Sequence, residues 1–142
     1  MPSLYETAAS LRFFGDDLDP EEITRLLGKP PTVGSKKGGT WLTSMGLEKV
    51  AYRGSWRLET ERRSPGDLDV QIAELFAQLT DDLEVWNDLS RRFQADIFCG
   101  LFLKEFNEGI SLSPETLAAA GSRGLSLDMD IYVAEDEDRM ST

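Results

Sequence analysis

The chain has 142 residues, 40% of them hydrophobic, which is enough to bury one core and therefore predicts one domain. Its formal net charge is −11, which argues against general binding to the phosphate backbone of nucleic acids. The absence of histidine excludes His-based triads and His metal sites, and the lone Cys99 has no partner for an intramolecular disulfide.

The first third of the chain predicts a strand, a helix and a long loop. Residues 7–14 form an apolar run typical of a strand. Asp19 with Glu22 predicts a capping box at the start of a helix, and Gly28 followed by two prolines ends it. Residues 29–47 are rich in Gly, Pro, Ser and Lys, so we expect a loop that is either functional or disordered.

Residues 49–60 predict an amphipathic strand. Val50, Tyr52, Trp56 and Leu58 fall on one face, and charged residues fall on the opposite one. This pattern is typical of an edge strand, where exposed charge prevents association between sheets.

Two helical patterns follow, at residues 68–79 and 83–93, where apolar residues recur every three or four positions. The segment Thr80-Asp81-Asp82 predicts a helix start between them. One bent helix is the alternative interpretation.

The last third of the chain repeats the strand-helix-strand order. Residues 95–103 are apolar on both faces, which predicts an interior strand. Ser113 before a proline predicts the start of a short helix at about 114–120. Residues 125–133 alternate apolar with polar side chains and predict a half-buried strand, and the acidic residues 135–142 predict a disordered tail.

These elements predict an α+β domain over residues 1–134. The order is β-α-β, a helical insertion, then β-α-β, which favours a ferredoxin-like sheet. Residues 7–14 and 95–104 would be its central strands, and residues 49–60 and 125–133 its edges.

Positive charge is concentrated in residues 29–63, which carry a local charge of +5 within an acidic chain. Lys36, Lys37, Arg53 and Arg57 are therefore candidate ligands for an anion. The alternative is a solvated loop and strand face that compensate nearby carboxylates. Trp41 could offer an aromatic platform, whereas Trp56 is in phase with core residues.

Asp128 and Asp130 share one face of the last predicted strand and are candidate partner-binding residues. Two carboxylates at this spacing could also bind a divalent cation or act in acid–base chemistry, but more often they belong to a solvated strand face. The sequence predicts neither a metal site nor any other cofactor.

Several ordered motifs resemble a bacterial family known as domain of unknown function 4279. The motifs are Phe13-Phe-Gly-Asp-Asp-Leu-Asp-Pro-Glu-Glu-Ile23, Pro31-Thr32, Lys37-Gly38, Gly54-Ser-Trp-Arg-Leu-Glu59 and Gly109-Ile-Ser-Leu-Ser-Pro-Glu-Thr-Leu117. The resemblance implies one bacterial domain, and it supplies no activity or catalytic residues.

We expect a cytoplasmic protein without membrane contact, since no apolar run approaches the ~20 residues that span a bilayer. The leading functional hypothesis is a non-enzymatic protein-interaction module, for example an immunity-type inhibitor of a basic toxin, since charge complementarity speeds association. A homodimer is also compatible with the sequence. The alternative is a domain that binds or senses a small anion through residues 29–63.

Overall fold

The structure, a computed structural model, describes residues 4–133, so the predicted tail at 135–142 lies outside the described residues. Two long strands, β1 (Glu6–Gly15) and β6 (Gln94–Leu103), pair antiparallel at the centre of a five-stranded sheet. Their central position confirms the prediction made from their two-sided apolar patterns.

Three further strands complete this sheet: β2 (Val33–Ser35), β5 (Gly54–Glu59) and β7 (Ser126–Val133). The strand order is β2-β5-β1-β6-β7. Strands β6 and β7 are parallel, while the other neighbouring pairs are antiparallel. The α+β class is confirmed, and β7 is an edge as predicted.

The prediction of one edge strand over residues 49–60 is wrong. Residues 48–50 form β4 (Glu48–Val50), which pairs with β3 (Thr40–Leu42) in a separate hairpin. Strand β5 begins only at Gly54, and β2 covers its outer side. The apolar alternation continues in phase across residues 51–53, so the sequence pattern does not show that the strand is interrupted there. Val50 and Tyr52 are consequently exposed rather than buried.

Glycine at position 54 is required by close packing. A Cβ atom there would lie 2.6 Å from the carbonyl oxygen of Leu18 and 2.7 Å from that of Gly15, both of which are backbone atoms. Strand β5 can therefore start beside the end of β1 only with glycine at this position.

Four helices connect the strands: α1 (Pro20–Leu27), α2 (Leu68–Ala77), α3 (Leu83–Arg92) and α4 (Pro114–Ser122). Asp82 accepts a hydrogen bond from the backbone N–H of Glu84 and begins α3, which confirms two helices rather than one bent helix. Ser113 caps α4 as predicted. Asp19 caps α1, but the Glu22 carboxylate pairs with Arg92 at 2.7 Å, so no capping box forms.

The helices pack against one face of the sheet and enclose the core. Phe13 on β1 contacts the rings of Trp56 and Trp86, with centroids 5.8 and 6.3 Å away. Ile97 and Cys99 on β6 are fully buried in the same cluster. The opposite face, on which β1 presents Arg12 and Phe14, carries no helix within the described residues.

The predicted inner face of β7 is only partly buried. Leu125, just before the strand, belongs to the core, but Met129, Ile131 and Val133 are exposed. The periodicity marks which side chains share a face, but it does not report how far the helices extend over that face. The helical layer covers the start of β7 and leaves its later residues open.

Candidate functional site

A groove of about 530 Å³ lies between the uncovered sheet face and the β3–β4 hairpin. This volume is in the range of about 300–1,000 Å³ that small-molecule pockets occupy. Strands β1, β2 and β5 contribute its floor, and the hairpin with residues 51–53 contributes its wall. Its lining residues are Arg12, Phe14, Val33, Gly34, Ser35, Thr40, Trp41, Ala51, Tyr52, Arg53, Ser55 and Arg57.

The lining is unusual in charge for this protein. Among residues 4–133, it contains three arginines and no carboxylate, whereas the whole chain has a net charge of −11. A concave surface lined by one sign of charge focuses its electrostatic potential and concentrates ligands of the opposite sign. The groove is therefore suited to an anion.

Arg12 forms a bidentate ion pair with Asp96 on the open face. Its Nε and Nη2 atoms each donate to an Asp96 oxygen at 2.8 Å, and the Asp96 side chain is only 3% exposed. This bidentate contact raises the pKa of Arg12, mainly through the hydrogen bonds to Asp96. The guanidinium also lies over the rings of Phe98 and Phe14, at 4.3 and 5.1 Å. Arg12 thus holds the floor of the groove in place.

Arg53 is the arginine best placed to meet a ligand. Its guanidinium carbon lies 4.0 Å from the centroid of Phe14 and 5.4 Å from that of Tyr52. Within residues 4–133, no carboxylate forms an ion pair with it. The two rings hold the guanidinium plane while its N–H donors stay available.

Arg57 lies on β5, two residues after Ser55 and on the same face of the strand. It forms a half-exposed ion pair with Glu59 at 3.4 Å. An exposed pair of this kind contributes about 0–1 kcal/mol, so a ligand can replace the carboxylate at small cost. Arg53 and Arg57, two of the four candidate anion ligands, therefore line one groove.

Lys36 and Lys37 are not among the residues that line the groove. Lys36 lies 3.7 Å from Asp19, and Lys37 lies 3.5 Å from Asp16. Both lysine side chains are more than half exposed. The four predicted anion ligands thus separate into a groove pair and a pair that compensates carboxylates before α1.

Aromatic side chains complete the groove. Trp41 on β3 is 50% exposed and belongs to the lining together with Tyr52 and Phe14. Trp56, the other tryptophan considered from the sequence, is fully buried in the core. Rings beside cationic groups offer a stacking surface for a planar ligand.

Asp128 and Asp130 lie at the opposite side of the open face, on β7. Asp128 approaches Arg12 at 3.5 Å and is largely exposed. Asp130 accepts a hydrogen bond from the Tyr132 hydroxyl, which raises the pKa of Tyr132. Neither aspartate lines the groove, and the two predicted sites adjoin where Asp128 contacts Arg12.

The arrangement offers binding groups more than reactive ones. Burial raises the pKa of the Cys99 thiol to about 12, and the side chain faces the core. Ser113 is occupied as the cap of α4. Within residues 4–133, no three His, Cys, Asp or Glu side chains converge as metal ligands would.

Sequence reasoning missed Arg12 as part of the site. The available signal was a lone charge between Leu11 and Phe13 in a strand predicted to be central, with Asp96 in the other central strand. Buried charges are normally paired, so each of these residues predicts the other.

In the part of the chain that the structure describes, no helix is long and apolar enough to cross a membrane. No curated protein and no solved structure matches the chain. A family model described as a domain of unknown function matches residues 4–134, nearly the full length. The chain therefore belongs to the DUF4279 family.

Proposed function

We propose that this protein is a non-enzymatic domain that binds a small anionic ligand carrying a planar ring in the arginine-lined groove. The observation that carries the proposal is the lining itself, which in the described part of the chain has three arginines and no carboxylate, although the protein is acidic. We name this site the arginine groove, defined by Arg12, Arg53, Arg57, Trp41 and Tyr52.

The chemistry of arginine supports a carboxylate or phosphate as the anionic group. A guanidinium presents paired N–H donors in one plane, which match two oxygens of either group. Arg53 is already oriented by the rings of Phe14 and Tyr52, so it loses little freedom when a ligand binds.

The aromatic lining supports a ring in the rest of the ligand. Trp41 and Tyr52 present exposed rings beside the guanidinium groups. Stacking on such rings stabilises planar groups by about 1–3 kcal/mol in nucleic-acid complexes. Binding rather than catalysis is supported by the absence of histidine and by the raised pKa of Cys99.

The test is calorimetric titration with adenosine monophosphate, which carries both an anion and a ring. We expect binding, and we expect Arg53→Gln with Arg57→Gln to weaken it by about tenfold or more, since a hydrogen bond to a charged group contributes about 1.5–3 kcal/mol. Adenosine, which lacks the anion, and inorganic phosphate, which lacks the ring, should each bind more weakly.

Arg91→Gln is the matched control, because Arg91 is an exposed arginine on α3 that does not line the groove. It changes the net charge as each groove substitution does and should leave the titration unchanged. Equal weakening by Arg91→Gln would mean that only net charge matters. Absence of binding by adenosine monophosphate and by phosphate at millimolar concentration would overturn the proposal.

The second candidate is a protein-interaction module, a bacterial cytoplasmic inhibitor of a basic toxin being one concrete form. It is favoured by the net charge of −11 and by the exposed carboxylates of Asp128 and Asp130 at the edge of the sheet. Acidic surfaces accelerate association with basic partners, and the rate falls as salt rises.

A further inference from the structure

The two edges of the sheet are protected to different degrees. Strand β2 closes one edge with three residues. Strand β7 forms the other with eight residues, and all of them pair with β6 in continuous register from Ser126 opposite Asp96 to Val133 opposite Leu103. The edge has no bulge and no proline, two devices that normally block further pairing.

The outer side of β7 carries alternate backbone N–H and C=O groups that point away from β6. Within residues 4–133, no strand pairs with this side. An eight-residue strand in continuous register offers a template on which an extended segment can form main-chain hydrogen bonds.

One face of β7 is apolar and exposed. Ile131 is 61% exposed and Val133 is 60% exposed, and Met129 precedes them on the same face. Cys99 and Leu101 on β6, which lie opposite Met129 and Ile131, are buried, and Leu103 opposite Val133 is half-buried. This face therefore continues the core surface beyond the cover of the helices. An added strand with apolar side chains here would extend the core by one strand.

The other face of β7 is acidic. Asp128 and Asp130 are both exposed on it. Directly opposite side chains in paired strands have Cβ atoms about 5 Å apart, where opposite charges stabilise the pair and like charges destabilise it. Lysine or arginine at alternate positions of an added strand would therefore fit.

From these two faces we propose that β7 accepts an extended segment of a partner protein in which basic residues alternate with apolar ones. The basic side chains pair with Asp128 and Asp130, and the apolar ones pack on Met129, Ile131 and Val133. This surface adjoins the arginine groove where Asp128 contacts Arg12 at 3.5 Å, and it gives the protein-interaction candidate a mode of binding.

Charge disfavours two other occupants of this edge. Antiparallel pairing of two copies about Met129 would place Asp128 of each copy opposite Asp130 of the other. The chain's own residues 135–138 are Glu-Asp-Glu-Asp, so they also repel this face. A basic segment is the occupant whose charge complements the edge.

The test uses the full chain and a synthetic eight-residue peptide, as long as β7, in which lysine alternates with valine. We expect binding by fluorescence anisotropy that weakens as salt rises. Asp130→Lys and Ile131→Lys should each weaken it by about tenfold or more. Glu84→Lys, at an exposed position on α3, makes the same charge change as Asp130→Lys and should leave it within about twofold.

A peptide of the same composition with its lysines in one block controls for non-specific attraction and should bind weakly. Equal binding of the two peptides overturns the proposal, because attraction alone then explains it. Arg53→Gln should leave peptide binding unchanged, and Asp130→Lys should leave binding of adenosine monophosphate unchanged. The proposal for β7 and the proposal for the arginine groove can therefore be contradicted independently of each other.

Amide hydrogen exchange in residues 128–133 identifies the occupant. We expect the outward amides to exchange rapidly in the free protein and to become protected when the alternating peptide is added. Protection that rises with protein concentration would assign the edge to a second copy. Protection at every concentration without peptide would assign it to the chain itself, and either result overturns the proposal.

Discussion

The two faces of the central sheet use different interactions. On the face covered by helices, the side chains of Phe13, Trp56 and Ile97 are fully buried in one hydrophobic cluster. On the open face, arginines cover aromatic rings: Arg12 lies over Phe98, and Arg62 lies over Phe102 at 4.2 Å.

The covered face therefore contributes mainly to stability, and the open face is the one suited to binding. Burial of large apolar side chains stabilises the fold by about 1.5–3 kcal/mol each. A cation over a ring at an exposed site contributes about 0.5–1 kcal/mol, so the open face can rearrange around a ligand at smaller cost. The covered face fixes the sheet, and the open face leaves arginines such as Arg57 and Arg62 accessible.

The largest expected effect is on the free energy of unfolding, and it differs between Phe13 and Phe14, neighbours on β1 that point to opposite faces. Phe13→Ala should lower the free energy of unfolding by about 3–5 kcal/mol, because it leaves a cavity beside Trp56 and Trp86. Phe14→Ala should cost less, about 2 kcal/mol, because Phe14 is 9% exposed and is covered by the flexible side chains of Arg12 and Arg53, which can close over the gap. Urea unfolding measures both, and equal losses would contradict the difference between the faces.

The second effect concerns Asp96, whose carboxylate is buried on the open face. Arg12→Met should cost about 3 kcal/mol, because it leaves the Asp96 carboxylate buried without its bidentate partner. Adding Asp96→Asn to Arg12→Met should recover part of that loss in the same unfolding experiment. A double variant no more stable than Arg12→Met would show that the charge of Asp96 is not the cause.

A smaller effect, with a pH dependence, concerns a polar contact between the N-terminal ends of α2 and α4. Asp69 accepts hydrogen bonds from the Ser113 N–H at 3.0 Å and from the Thr116 hydroxyl at 2.6 Å. These bonds, chiefly the one from Thr116, hold the pKa of Asp69 below its ordinary value. Its stabilisation is present above the unfolded pKa, near 4, and is lost as pH falls through the lower folded pKa.

Asp69→Asn should therefore destabilise the protein by about 1 kcal/mol at neutral pH and reduce the loss of stability below about pH 4. Thermal unfolding of both proteins from neutral to acid pH measures this. Parallel pH profiles for the variant and the unmodified chain would show that the ionised form of Asp69 has no stabilising role.

The smallest expected effect concerns the lysines outside the groove. Lys37→Ala should change the free energy of unfolding by less than about 0.5 kcal/mol, because its contact with Asp16 is exposed. It should also leave the binding of adenosine monophosphate within about twofold, in contrast to Arg53→Gln. A loss of affinity equal to that of Arg53→Gln would extend the arginine groove to the loop before β3.

The sequence predicts the long strands of this fold better than its site. Strands β1 and β6 and the caps Asp82 and Ser113 follow from periodicity and local chemistry. Strand β3 has three residues, too few for a period, and it lies in the predicted loop, whereas the sequence pattern joins β4 to β5 in one predicted strand. The sequence therefore does not predict the hairpin.

The groove depends on pairing between distant segments. Arg12 lies opposite Arg57 because of the register between β1 and β5, and Val33 lies beside Arg57 through β2. Local patterns do not specify such a register. They identified Arg53 and Arg57 as candidates but grouped them with Lys36 and Lys37, because all four were selected by charge alone.

The most direct test of the arginine groove is a nuclear magnetic resonance titration of the labelled protein with adenosine monophosphate. Binding in the groove predicts shifts of the side-chain N–H signals of Arg53, Arg57 and Trp41. The indole signal of Trp86, buried among the helices, should not move. Shifts confined to β7 or to Lys36 and Lys37, with the groove signals unchanged, would contradict the account.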